Sequence, residues 1–304
     1  MKLIPRKFNI EYSASFRSVK SNDLRIWAAR PQNSIYQKIE EFKISKDPTS
    51  RYREKNGNEI LYFNFKKINN LNLKIKMKVV LKNNKLKLNK EIINHQKNTE
   101  LFKKYTKSEK FLEQTDTVKE LAEKITRKEK FILDKIIVIT EFLKRNFKYV
   151  YPVKKRGVKN LNLKNLKGDC GEVGALFVTM CRVLKIPAIN NTGYVIYFDE
   201  LNNIYEHGWT SIYLNDVGWL QIDPLAGNIK KLRSKYIYEQ KNYFLAILNG
   251  FNIKIKPAIP KNHAIDYWKK LGLPITRKTT QILQPLIFSS LKKITFREEI
   301  KIIK

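Results

Sequence analysis

The first third of the chain alternates apolar and polar residues with a period of two. Phe8-Asn9-Ile10-Glu11-Tyr12, Glu59-Ile60-Leu61-Tyr62-Phe63-Asn64-Phe65 and Leu71-Asn72-Leu73-Lys74-Ile75-Lys76-Met77-Lys78-Val79 carry the pattern. Alternation of this kind, rich in aromatic and β-branched residues, predicts half-buried strands. Lys74, Lys76 and Lys78 then form the solvated face of one strand. Asp47-Pro48, Asn56-Gly57-Asn58 and Asn83-Asn84 supply the turns. A small β-sandwich over residues 1–104 is the expectation.

From about residue 100 the spacing lengthens to three and four. Asp116 is placed to cap a helix through Val118, Leu121, Ala122 and Ile125, and a second helix follows through Phe131, Ile136, Ile139 and Leu143. A polar, basic loop from Lys154 to Lys167 leads to Gly168-Asp169-Cys170-Gly171-Glu172. An apolar helix from Glu172 to Pro187 comes next. Three strands are predicted after it, over 188–198, 204–214 and 219–222, with Asn202-Asn203 and Asn215-Asp216-Val217-Gly218 as turns. The order, a helix and then an antiparallel meander, defines an α+β core over residues 105–258. Tyr236 to Leu248 fits helix or strand, and Phe251 to Ile255 reads as a strand. Residues 259–304, broken by Pro260 and Pro274, read as an extension of unknown role.

The net charge of +33 invites a nucleic-acid or anionic-membrane reading. Its distribution tempers that. Residues 1–100 hold 23 Lys and Arg against 9 Asp and Glu, 101–160 hold 17 against 8, and 229–304 hold 17 against 4, whereas 161–228 hold 4 against 7. The basic residues therefore flank the motif region. Joint enrichment in Lys, Ile and Asn also arises from AT-rich coding, so the charge alone does not establish a nucleic-acid partner. The opening MKLIPRKFNIEYSASF has no apolar run of signal-peptide length. Nor does the chain hold the roughly 18 consecutive apolar residues of a membrane helix. A cytoplasmic protein with no membrane partner is the expectation.

Candidate chemistry centres on Cys170. Asp169 and Glu172, three apart before an apolar helical run, form a capping-box pattern with Asp169 as N-cap. Cys170 then begins the helix, where the helix dipole favours a thiolate, as a cysteine nucleophile requires. Gly168 and Gly171 leave room for a substrate, and the Cys170 N–H is an unpaired donor suited to an oxyanion. Cys181, among Phe177, Met180, Val183 and Leu184, reads as core. Eleven positions on one helix separate the two sulfurs by roughly 16 Å, too far for a disulfide. A free thiol suits a reducing compartment. Of three histidines, His95 lies in a polar segment and is expected on the surface, and His263 is placed to start a helix. His207 lies in an apolar strand next to the cysteine helix, and Asp223 ends the neighbouring strand, where a carboxylate can orient an imidazole. Metal-ligand, phosphate-loop and dinucleotide spacings are absent, so no metal or cofactor is expected.

Gly168-Asp169-Cys170 with Ala175-Leu176-Phe177 and Cys181-Arg182-Val183-Leu184-Lys185-Ile186-Pro187-Ala188 resembles the cysteine helix of transglutaminase-like domains. His207-Gly208-Trp209 and Gly218-Trp219 with Asp223-Pro224 are similar to that superfamily's histidine and aspartate motifs. The likeness covers about 105–228. Upstream, Leu24 to Ser34 with Gln37 and Gly57-Asn58 is similar to the β-rich domain preceding many prokaryotic members. Gly208 stands where the motif usually has alanine. The resemblance implies a papain-like core with the cysteine on a helix start packed on an antiparallel sheet. It also implies a Cys170-His207-Asp223 triad working on amides through a thioester, but not which acceptor takes the acyl group. With no calcium-site pattern evident and many prokaryotic relatives resembling peptidases, a peptidase or amidohydrolase is expected rather than a cross-linking enzyme. Tyr149 and Tyr151 are candidates for the auxiliary oxyanion donor, Tyr149 first, and Trp209 and Gly171 for substrate contact. The substrate expected is a protein or peptide. The alternative is a non-catalytic module of the same fold whose basic flanks bind nucleic acid, weakly, or acidic protein.

Overall fold

The computed structural model describes residues 6–17, 21–88, 91–92, 95, 97–196, 203–225, 237–240, 242–266, 272–291 and 295–303. The alternating segments form strands as expected. They are β1 (Arg6–Phe16), β2 (Ser21–Arg30), β3 (Gln37–Ile44), β4 (Ser50–Arg53), β5 (Glu59–Ile68), β6 (Leu71–Leu81) and β7 (Asn84–Lys87). Helices α1 (Glu100–Tyr105), α2 (Asp116–Thr126) and α3 (Ile132–Asn146) follow. The cap of α2 is Thr115, whose side chain accepts from the Val118 N–H. Asp116 is instead the first helical residue and pairs with Lys119. Short strands β8 (Lys148–Tyr149) and β9 (Lys167–Gly168) precede α4 (Cys170–Val183). The meander is β10 (Ala188–Ile196), β11 (Ile204–Leu214) and β12 (Gly218–Ile222). The ambiguous 236–248 stretch is strand where described, as β13 (Ile237–Gln240) and β14 (Phe244–Asn249). Strands β15 (Ile253–Lys254), β16 (Thr279–Thr280), β17 (Leu286–Ser289) and β18 (Phe296–Ile303) complete the chain. Among the described residues no helix is long and apolar enough to cross a membrane.

Contacts divide the chain into two units. The first comprises residues 1–84, 192–207 and 241–304. Its two four-stranded sheets have the orders β18-β1-β6-β3 and β17-β2-β5-β4. Ile10, Tyr12 and Ala14 of β1, Leu73 and Ile75 of β6, and Leu24, Ile26 and Phe63 of the second sheet share one buried core, which is the sandwich. The C-terminal stretch is not a separate appendage. It adds an edge strand to each sheet, with Phe16 opposite Phe296 and Trp27 opposite Leu286. The Phe16 and Phe296 rings stack at 5.2 Å, burying apolar area that an isolated 1–104 segment would expose. Gly193 is required by a close backbone approach, because a Cβ there would lie 2.0 Å from the Leu245 carbonyl oxygen.

The second unit comprises residues 85–191 and 208–240. Helix α4 is its centre, with every residue from Glu172 to Arg182 buried. Arg182 is tolerated there because each reach of its guanidinium is answered. Its Nε donates to the Ala188 carbonyl at 3.0 Å, and its Nη1 to the Lys107 carbonyl at 3.0 Å and Glu109 Oε1 at 2.9 Å. Two histidine expectations are corrected. His95 is buried, with Nδ1 3.3 Å from Asn215 Oδ1, because a tertiary partner covers its polar segment. His263, in the first unit, lies in a turn held by its N–H donating to the Pro260 carbonyl, and its buried ring meets Asn262 and Asp23.

Candidate active site

Asp169 caps α4 as its sequence position requires. Its Oδ1 accepts from the Gly171 N–H at 2.8 Å, which leaves Cys170 as the first helical residue. The second half of the expected capping box is replaced. Glu172 turns to Arg156, from the preceding loop, at 2.5 Å. The same guanidinium grips Asp169 with two parallel bonds of 2.7 Å. All three side chains are largely withdrawn from water, at 12%, 6% and 3% exposure for Arg156, Asp169 and Glu172. One cation therefore serves two buried carboxyls. Burial tends to raise Asp169, but its bonds to Arg156 outweigh that and hold it below the ordinary carboxylate range. For Glu172 burial dominates, the adjacent Asp169 adds to it, and the carboxyl is pushed up to about 8. Glu172 is thus protonated at neutral pH and shares its hydrogen with Asp169.

Cys170 is partly exposed, whereas Cys181 is fully buried and its thiol is pushed well up by that burial. The two sulfurs are both free. On one side of the helix start, β8 and β9 pair in parallel, with Tyr149 opposite Gly168 and the Val150 N–H donating to the Gly168 carbonyl at 2.8 Å. Tyr149 is 59% exposed. Desolvation of its hydroxyl and the nearby charges of Cys170 and Asp169 raise its pKa, so the phenol remains a donor. On another side lies Gly208, where a Cβ would sit 3.7 Å from the Cys170 sulfur. An alanine methyl would fit there in van der Waals contact, so glycine widens the space beside the thiol by about one methyl.

His207 immediately precedes Gly208 on β11, and the boundary between the units falls between these two residues. Its ring lies 6.0 Å from that of Phe244, nearly parallel. Strands β11 and β12 pair with Thr210 opposite Ile222, and Asp223 follows directly. Asp223 is buried and its Oδ1 accepts from the Leu225 N–H at 3.0 Å. Gly171 is partly exposed beside the sulfur-bearing residue. Trp209, expected at the substrate surface, is fully buried in the sheet and presents no indole to solvent. Sequence reasoning missed Arg156. The available signal was that it is the single arginine in a loop whose other cations, from Lys154 to Lys167, are all lysines. A planar fork is what bidentate carboxylate recognition needs.

Residues 119–224 match the family model described as the transglutaminase-like superfamily. This region, with its cysteine at a helix start before an antiparallel meander, is a transglutaminase-like core preceded by a β-rich domain. Among solved structures the chain is similar to a protein of Cytophaga hutchinsonii described as "a Putative Cysteine Protease", with a TM-score of 0.62, 14% identity, and coverage of 99% of this chain and 93% of that one. It is also similar to the periplasmic domain of TgpA from Pseudomonas aeruginosa, with a TM-score of 0.39, 10% identity, and coverage of 70% and 86%. At such identities the first likeness is one of fold. No curated protein matches the chain.

Proposed function

We propose that this protein is a cysteine-dependent enzyme that cleaves amide bonds through a thioester, with Cys170 as nucleophile, His207 as its acid and base, and Asp223 orienting the imidazole. The observation that carries the reading is the position of Cys170: first residue of a capped helix, partly exposed, with the residue after His207 against its sulfur. The thiolate forms a bond to the amide carbon, and the carbonyl electrons move to oxygen. The Cys170 N–H and the Tyr149 hydroxyl donate to that oxyanion. The C–N bond then breaks as His207 gives the amine a proton, leaving a thioester. Water, deprotonated by His207, attacks the thioester carbon, and the C–S bond breaks to return the thiolate. Hydrolysis is preferred here to transfer to an amine, in keeping with the fold likeness to a protein described as "a Putative Cysteine Protease". Incubation of the protein with fluorogenic peptide libraries, followed by intact-mass analysis, tests this. Acylation of Cys170 and product release are expected, both lost in Cys170→Ala. Turnover that survives that substitution overturns the proposal.

A further inference from the structure

Beside Cys170 stand groups that, the Tyr149 hydroxyl apart, the cleavage chemistry leaves unused. Tyr149 and Tyr151 are 59% and 64% exposed, among the largest apolar exposures of the described residues. Exposed apolar side chains clustered at one place mark a contact surface. Register fixes this place: Tyr149 stands opposite Gly168, two residues before the nucleophile. The exposed charges of the two segments that flank the tyrosines are of one sign. Lys148 is paired directly opposite Lys167, and both are exposed. Like charges facing each other across a strand pair are destabilising, so the pairing is maintained at a cost. Lys154 and Lys155 are also exposed, and they adjoin Arg156, whose guanidinium grips the helix start. Among the described residues none of these four lysines has a carboxylate partner. The two acidic side chains at the adjoining helix start, Asp169 and Glu172, are already occupied by Arg156.

We infer that Tyr149, Tyr151 and the lysines 148, 154, 155 and 167 form a docking rim that selects acidic, extended peptide segments beside the amide to be cleaved. Carboxylates of the substrate meet the four ammonium groups, and an apolar or aromatic side chain lies on the tyrosine rings. A peptide is favoured over a nucleic acid because whatever docks here lies against a thiol whose proposed partner is an amide carbonyl. The inference names the substrate class of the proposed enzyme and rests on that reading.

The test separates docking from turnover by using the full chain with Cys170→Ala. Two fluorescein-labelled peptides of equal length, each with one phenylalanine, carry either Asp and Glu or Lys and Arg at the remaining positions. Anisotropy is expected to show the acidic peptide binding, weakening with added salt, and the basic peptide failing to bind. Lys148→Glu with Lys167→Glu is expected to weaken the acidic peptide about tenfold, as two partly exposed ion pairs allow. Tyr151→Ala is expected to weaken it separately. Iodoacetamide labelling of Cys170, in the same lysine variants with the cysteine restored, reports whether the site itself persists. Equal binding of both peptides, or full binding by the double lysine variant, overturns the rim. Displacement of the acidic peptide by an equal concentration of single-stranded oligonucleotide of matched charge overturns the choice of peptide. A chain that binds the acidic peptide but cleaves no amide removes the proposed function and leaves the docking result readable.

Discussion

Glu172→Gln should flatten the dependence of stability on pH near neutrality. In the folded protein Glu172 is pushed up to about 8 by burial and by Asp169, whereas an exposed glutamate titrates near 4.3. The folded state therefore holds a proton that the unfolded chain has released throughout roughly pH 5 to 8. Stability from this group is complete below the unfolded value and is lost as pH rises through the folded one. One proton corresponds to about 1.4 kcal/mol per pH unit, so between pH 5.5 and 7.5 the loss is about 3 kcal/mol. For a chain of this size that is a fall of about 5 °C in the melting temperature. Glutamine keeps the shape, accepts from Arg156 through its carbonyl and donates to Asp169 through its amide, but takes up no proton. Glu54 and Glu298, raised chiefly by burial, and His95 and His263, lowered chiefly by burial, titrate in both proteins and cancel in the difference. Differential scanning calorimetry of both proteins across this range is the assay. Parallel curves would refute the claim that one guanidinium leaves Glu172 protonated.

Iodoacetamide should modify one cysteine per folded chain, at Cys170, and peptide mapping should find Cys181 unlabelled until the chain unfolds, because the latter is fully buried. Tyr149→Phe should lower kcat about tenfold with little change in KM if its hydroxyl meets the oxyanion, and an unaltered kcat removes that role. Arg182→Met should destabilise the fold by about 3–5 kcal/mol, read from denaturant midpoints, because it strands Glu109 and two carbonyls. Gly193→Ala should cost about 3 kcal/mol by the same measure, since its Cβ would overlap the Leu245 carbonyl; a loss below about 0.5 kcal/mol contradicts the close approach.

The elements that were legible in the sequence are those whose cause is local. Alternation in Leu71 to Val79 is enough to specify a strand with one wet face, and Asp169 before an apolar run is enough to start α4 at Cys170. The contrast between Cys170 and Cys181 follows from the same local facts. What escaped depends on partners remote in sequence. The burial of His95 is set by Asn215, and the role of Arg156 by carboxyls 13 and 16 residues further on. The service of residues 286–289 and 296–303 as edge strands depends on β2 and β1, more than 250 positions away. A polar residue in a loop carries no periodicity, so the hydrophobic pattern does not reveal whether it meets water or a buried charge. Trp209 shows the converse: its place beside His207 suggests substrate contact, while its full burial depends on the whole sheet.

Strands early and late in the sequence share the same sheets, so the sandwich cannot close before residues 286–289 and 296–303 have been made. Once β6 has emerged, β1 has one neighbour, and its other edge waits for residues 296–303. On the order of 200 residues lie between, which at about 5–20 residues per second is roughly 10–40 s of synthesis. Through that interval the edge of β1 stays open and the ring of Phe16 lacks its stacking partner, an arrangement prone to pairing with other nascent chains. Residues 85–191 and 208–240, with Cys170 and Asp223 among them, are all made by residue 240, whereas His207 belongs to the unit that waits.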